Sequence, residues 1–145
     1  MAEMISDSQG AIRVITVANP VVGNDFTHTM DARVRWRVIS VKCHLVCDGN
    51  AGNRNVCLEV ALGTDLLMKF HLVDHLLQNE TWDITWAGSP LSGMSTASRT
   101  SGGCLPEKLL LNNEMTIRSA TQAIKAGDQF TQIFILVEEW IEPLA

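Results

Sequence analysis

Apolar and polar residues alternate along much of the chain. The segment that matters most is 129–142, QFTQIFILVEEWIE. As a strand it places Ile133, Ile135, Val137 and Ile141 on one face and Phe130, Phe134, Leu136 and Trp140 on the other. A strand apolar on both faces is covered twice, once by the core behind its own sheet and once by something in front. A second long segment, 33–47, alternates Ile39, Val41, Cys43, Leu45 and Cys47 with Val38, Ser40, Lys42, His44 and Val46. Its length calls for a bulge, placed near Trp36. Shorter strands are predicted at 12–17, 26–30, 55–62, 66–72, 81–86, 109–111 and 115–120, separated by Gly, Asn and Asp turns. Only 73–79, VDHLLQN, has a helical look, over a turn or two.

About eight strands with almost no helix predict an all-β domain. The expected fold is a jelly-roll β-sandwich of antiparallel strands spanning 12–142. An N-terminal arm, 1–11, precedes it and a short tail, 143–145, follows. Residues 87–105 are rich in Ser, Thr and Gly and form the expected long loop, functional or ordered on a partner.

Composition narrows the function. Apolar residues make up 46% of the 145, enough for a core, and charged residues only 19%. With a slightly positive mean hydropathy this points to apolar surface covered by partners. A net charge of −5 argues against a general nucleic-acid binder. No apolar run approaches the roughly 20 residues of a membrane helix, and the N-terminus lacks a signal-peptide core, so a soluble protein made in a cytosol is expected. The four cysteines form no CxxC pair. Cys43 and Cys47, about 13 Å apart in an extended strand, are too distant for a disulfide and are read as buried small hydrophobes.

Candidate chemistry is thin. His71 and His75 have helical zinc spacing, but they sit where a strand breaks, so no metal site or other cofactor is assigned. There is no G-x-S-x-G motif and no phosphate loop. Glu138 and Glu139 are adjacent on a strand and point to opposite faces, so they cannot act on one substrate atom. No catalytic residue is assigned and an enzyme is not expected. A cupin-type enzyme would need metal-binding histidines across strands, and His44, His71 and His75 are too irregular for it. Trp82 and Trp86 are read as core. Arg33, Arg35 and Arg37 form a basic stripe opposite Trp36. It either meets an acidic or phosphate partner or is solvated, with Glu138, Glu139 and Glu142 as its counterpart across sheets or subunits.

Two segments carry a resemblance. One is Arg33-Val34-Arg35-Trp36-Arg37-Val38-Ile39-Ser40-Val41 with Ala51-Gly52-Asn53-Arg54-Asn55-Val56 after it. The other is Ile124-Lys125-Ala126-Gly127-Asp128-Gln129-Phe130 running into Leu136-Val137-Glu138-Glu139-Trp140-Ile141. Together they resemble a group of small structural proteins of tailed bacteriophages, similar in size and β-content to jelly-roll capsid decoration (cement) proteins. The resemblance covers about half the chain and departs most over 64–106. It implies a protein made in the host cytoplasm that ends on the capsid surface of the virion. There it would self-associate as a homotrimer or homodimer and bind the major capsid protein, without nucleic acid or membrane. The expected interface residues are Phe130, Phe134, Leu136, Trp140, Arg33, Arg35 and Arg37. The alternative is a tail-fibre or baseplate module that binds a receptor or glycan through the loop at 87–105.

Overall fold

The computed structural model describes residues 10–88, 93–94 and 99–142. The tail and most of the arm, 1–9, lie outside this range, and so does much of the loop at 87–105. The described residues contain eleven strands and no helix: β1 (Ala11–Val17), β2 (Thr27–Thr29), β3 (Val34–Val46), β4 (Asn55–Leu62), β5 (Asp65–His71), β6 (Thr81–Ala87), β7 (Gly93–Met94), β8 (Arg99–Cys104), β9 (Leu109–Leu111), β10 (Met115–Gln122) and β11 (Gln129–Ile141).

They form two sheets. The larger has the order β1-β11-β3-β6-β8-β7, with β9 paired to the end of β3, and the smaller β2-β10-β4-β5. Four antiparallel pairings, β1 with β11, β2 with β10, β3 with β6 and β4 with β5, fall alternately in the two sheets. A long hairpin rolled up on itself gives this alternation, so the topology is compatible with the expected jelly roll. The protein is an all-β sandwich.

The core lies between the sheets. Val41, Cys43 and Leu45 of β3 meet Trp86, Ile84 and Trp82 of β6 in register. Leu58 and Val60 of β4, Ile117 of β10 and Ile133, Ile135 and Val137 of β11 complete it. Phe26 packs edge-on against Phe130, with ring centroids 5.4 Å apart.

Two bulges correct the predicted faces. Between Thr131 and Phe134, β11 spends three steps against two on β3. The extra residue, Gln132, takes φ 50°. The bulge moves Phe130 to the inner face, where it is fully buried beside Ile133 and Ile135 instead of sharing the outer face with Phe134. The second bulge is on β3, where Val38 and Ser40 pair with consecutive residues of β11. It sits at Ile39, not near Trp36, and turns Val38 inward in place of Ile39.

Two other expectations change. Part of the predicted loop is strand: β8 pairs in parallel with β6. Residues 99–104, RTSGGC, have poor β propensity, but the backbone of β6 offers them a ladder and Gly103 lets them approach. A Cβ at Gly103 would stand 2.4 Å from Cδ1 of Trp86 and 2.9 Å from the carbonyl oxygen of His71. The helical look of 73–79 is not realised. Leu76 is fully buried and pairs its backbone with Arg54 in an isolated bridge, which holds this stretch as an irregular turn.

Candidate interaction surface

The outer face of the larger sheet holds the sequence-predicted interface residues except Phe130, which is in the core, and Arg33, which precedes β3. Register puts Val14, Leu136 and Ser40 in one cross-strand row, Thr16, Phe134 and Lys42 in the next, and Ile12, Glu138 and Arg37 in a third. All point away from the core, because their neighbours Ile133, Ile135 and Val137 point into it. Ile12 and Val14 are 60% and 61% exposed, and Phe134 36%. Leu136 is half-buried, as is Trp140, which lies against Gly10. Beyond Trp140 the face ends in a groove of about 280 Å³, lined by Arg35, Trp36, Leu110, Leu111, Asn112 and Trp140. Phe130 is absent from this surface because of the Gln132 bulge.

The arginine stripe finds its partners within the chain. Arg37 Nε donates to Glu138 Oε1 at 2.9 Å across the β3–β11 pair. Arg35 lies 3.4 Å from Glu142. Arg33 precedes β3 in a left-handed conformation (φ 64°) and donates to the Glu142 carbonyl. The acidic counterpart expected across sheets or subunits is thus the next strand of the same sheet. Such half-exposed pairs contribute about 1 kcal/mol or less each, but they offset the charges of Arg35 and Arg37, which would otherwise oppose burial of the face.

Glu139 faces inward, opposite to Glu138, as the strand geometry demands. It accepts from Trp36 Nε1 at 2.9 Å and from Arg13 Nη1 at 2.6 Å. This ties β1 to the inner side of β11 and β3. The sequence reading missed Ile12, Val14 and Leu110 as surface residues. The signal was present in IRVITV, which is apolar at both strand parities, as 129–142 is.

A second concavity, of about 580 Å³, lies over the smaller sheet and is about equally polar and apolar, with Asp25, Asn55, Lys69, His71, Asp74, His75 and Gln122 among its lining. Both histidines of the sequence-noted pair reach it. His75 hydrogen-bonds Asn55, and Asp74 accepts from Ser101 at 2.7 Å. Among the described residues no group of three or more His, Cys, Asp or Glu is arranged to hold a metal ion. Cys57 also lines the groove, and burial raises its pKa above the ordinary thiol value. Cys47 is pushed up to about 12, first by burial and then by Asp128. All four cysteines are free.

The two turns that carry the family-like motifs are locked together by one buried ion group. Arg54 is fully buried and donates through Nε and Nη2 to Asp128, both at 3.0 Å, and through Nη2 to Asp48 at 2.7 Å. Its Nη1 reaches the carbonyls of Asn50 and Gly52 at 2.9 and 2.8 Å. Burial works against a charged Asp128, but Arg54 and the Asp48 and Lys125 amides outweigh it and hold its pKa below the usual carboxylate value. Gly127 donates its amide to Asp48, and a Cβ there would meet the same carboxylate at 2.7 Å. The Asn-Arg and Ala-Gly-Asp-Gln signatures are therefore structural: they close one end of the sandwich.

Comparison with protein-family models, with curated proteins and with solved structures returns no match.

Proposed function

We propose that this chain is a virion structural protein of a tailed bacteriophage, a capsid decoration protein. In this reading it self-associates on the capsid surface and cements contacts between capsomers. One observation supports the reading above others. The long strand β11 is largely apolar on its outer side, and Ile12, Val14, Phe134, Leu136 and Trp140 adjoin there on a face where Arg37 and Glu138 are already paired. A face of this kind suits burial over a large area, at about 25 cal/mol per Å² of apolar surface. The strand motifs of 33–56 and 124–141 supply the phage assignment by resemblance. No catalytic role is proposed for any residue, and the thiols of Cys43, Cys47 and Cys57, whose pKa values burial raises, are poor nucleophiles.

The test is co-sedimentation of the purified chain with empty capsids, with light scattering for self-association. Binding to capsids, and its loss in Trp140→Glu, is expected. A clean monomer at tens of micromolar that also leaves capsids unbound would defeat the proposal. A second reading, a tail-fibre or baseplate module that binds a receptor or glycan, draws on the polar residues of the groove over the smaller sheet. Its carboxylates and amides are the groups that hydrogen-bond sugar hydroxyls. Glycan-array binding abolished by Asp74→Ala, without capsid binding, would favour it.

A further inference from the structure

We infer that a second copy of this chain pairs with the free edge of β1, continuing the larger sheet across a two-fold axis. The inference rests on the self-associating reading above and specifies how the copies meet. Among the described residues β1 bonds to β11 on one side only and ends the sheet on the other. Natural edge strands are commonly blunted by Pro, Lys or a bulge. Residues 11–17, AIRVITV, contain no Pro or Lys, and all seven pair with β11 without a register shift. Their one charge, Arg13, points to the inner side and is bonded to Glu139, so it does not guard the edge.

Symmetry and charge select the register. A two-fold axis normal to the sheet keeps outer faces outer, so a residue must meet one of its own parity. Centring on Arg13 would oppose two guanidinium groups. Centring on Val14 opposes Val14 to Val14 of the second copy, Ile12 to Thr16 and Arg13 to Ile15, and engages all seven residues. The exposed Ile12 and Val14 then join the Phe134 and Leu136 strip of both copies into one continuous apolar face. The shared strip matters, because stable interfaces bury about 1,200–2,000 Å² in total, more than a short strand edge offers alone. The contact is isologous and closes at two copies, so it builds a dimer and not a trimer.

The test is oxidative cross-linking of the full chain in a Cys104→Ser background, since Cys104 is the exposed native thiol among otherwise buried cysteines. Val14→Cys is expected to give a covalent dimer, and so is Ile12→Cys combined with Thr16→Cys. Ile12→Cys alone and the exposed control Val21→Cys are expected to cross-link far less. Val14→Lys, which opposes two ammonium groups at the axis, is expected to weaken dimerisation about tenfold or more while leaving the melting curve of the monomer unchanged. If light scattering finds a dimer but Val14→Cys cross-links no better than Val21→Cys and Val14→Lys has no effect, the β1 edge is refuted and self-association stands. If the wild-type chain is monomeric, the inference fails and the self-association it rests on fails with it.

Discussion

Replacing Arg54 by Met probes the buried ion group that joins the two signature turns. The side chains of Arg54 and Asp128 are both fully buried. Removing one partner of a buried pair strands the other, which costs about 3–5 kcal/mol. Asp128 would keep two amide donors, from Asp48 and Lys125, each at 2.8 Å, so the lower part of that range, about 3–4 kcal/mol, is expected. For a domain of this size that lowers Tm by about 10 °C. Urea titration followed by tryptophan fluorescence reads the change directly, because Trp36, Trp82 and Trp86 are buried. The pH dependence supplies a sharper signature. In the wild type Asp128 has a depressed pKa, so its contribution is present above the unfolded value near 3.8 and is lost as pH falls through the folded value. Without Arg54, burial dominates and the folded pKa rises, so over the window above 3.8 stability should increase on acidification instead of holding constant. Arg54→Met with Asp128→Leu should recover much of the loss, because no buried charge is left unpaired. A loss under about 1 kcal/mol for Arg54→Met, as for a surface pair, would refute the reasoning.

Three other outcomes follow from the same geometry. Phe130→Ala should cost about 3–5 kcal/mol in urea unfolding, and Phe134→Ala about 1 kcal/mol or less, reversing the equivalence that simple alternation assigns them. Gly103→Ala should destabilise by about 1–3 kcal/mol, because the added methyl must displace Trp86 or the His71 carbonyl, and a circular-dichroism melt would register it. His28 stacks on Trp36, with ring centroids 5.3 Å apart, and burial, opposed by Asp31, lowers its pKa below 6.5. The unfolded chain therefore takes up the proton first, and stability should fall as pH drops from 6.5 through the folded value, a slope that His28→Phe should abolish in melts between neutral pH and about pH 5.

Most of the fold was legible because period-two alternation reports one covered face directly. Strands 55–62 and 109–111 lie where the pattern puts them, and Trp82 and Trp86 are in the core. The errors in the strand faces are local and come from bulges. Alternation counts residues, and a bulge adds one without changing composition, so Phe130 changed faces with no signal in the sequence, while the length of 33–47 called for a bulge without locating it at Ile39, where it turns Val38 inward. The β8 ladder was illegible for a related reason: its backbone bonds come from β6, and residues 99–104 carry no strand signature of their own. The arginine stripe and its acidic counterpart were both visible, but that Arg37 meets Glu138 and Arg35 meets Glu142 within one sheet was not, because these residues lie about a hundred positions apart along the chain.

By itself, the sequence determined the all-β class, the two long strands and the doubly apolar character of β11, since burial of alternating side chains depends only on their order. Tertiary structure alone decided which residues form the outer face, that Arg35 and Arg37 are paired within it, and that among the described residues β1 stands at an open edge beside it. Those properties arise from register between segments distant in sequence, and register is set by bulges, by the buried Arg54 group and by packing that no local pattern encodes.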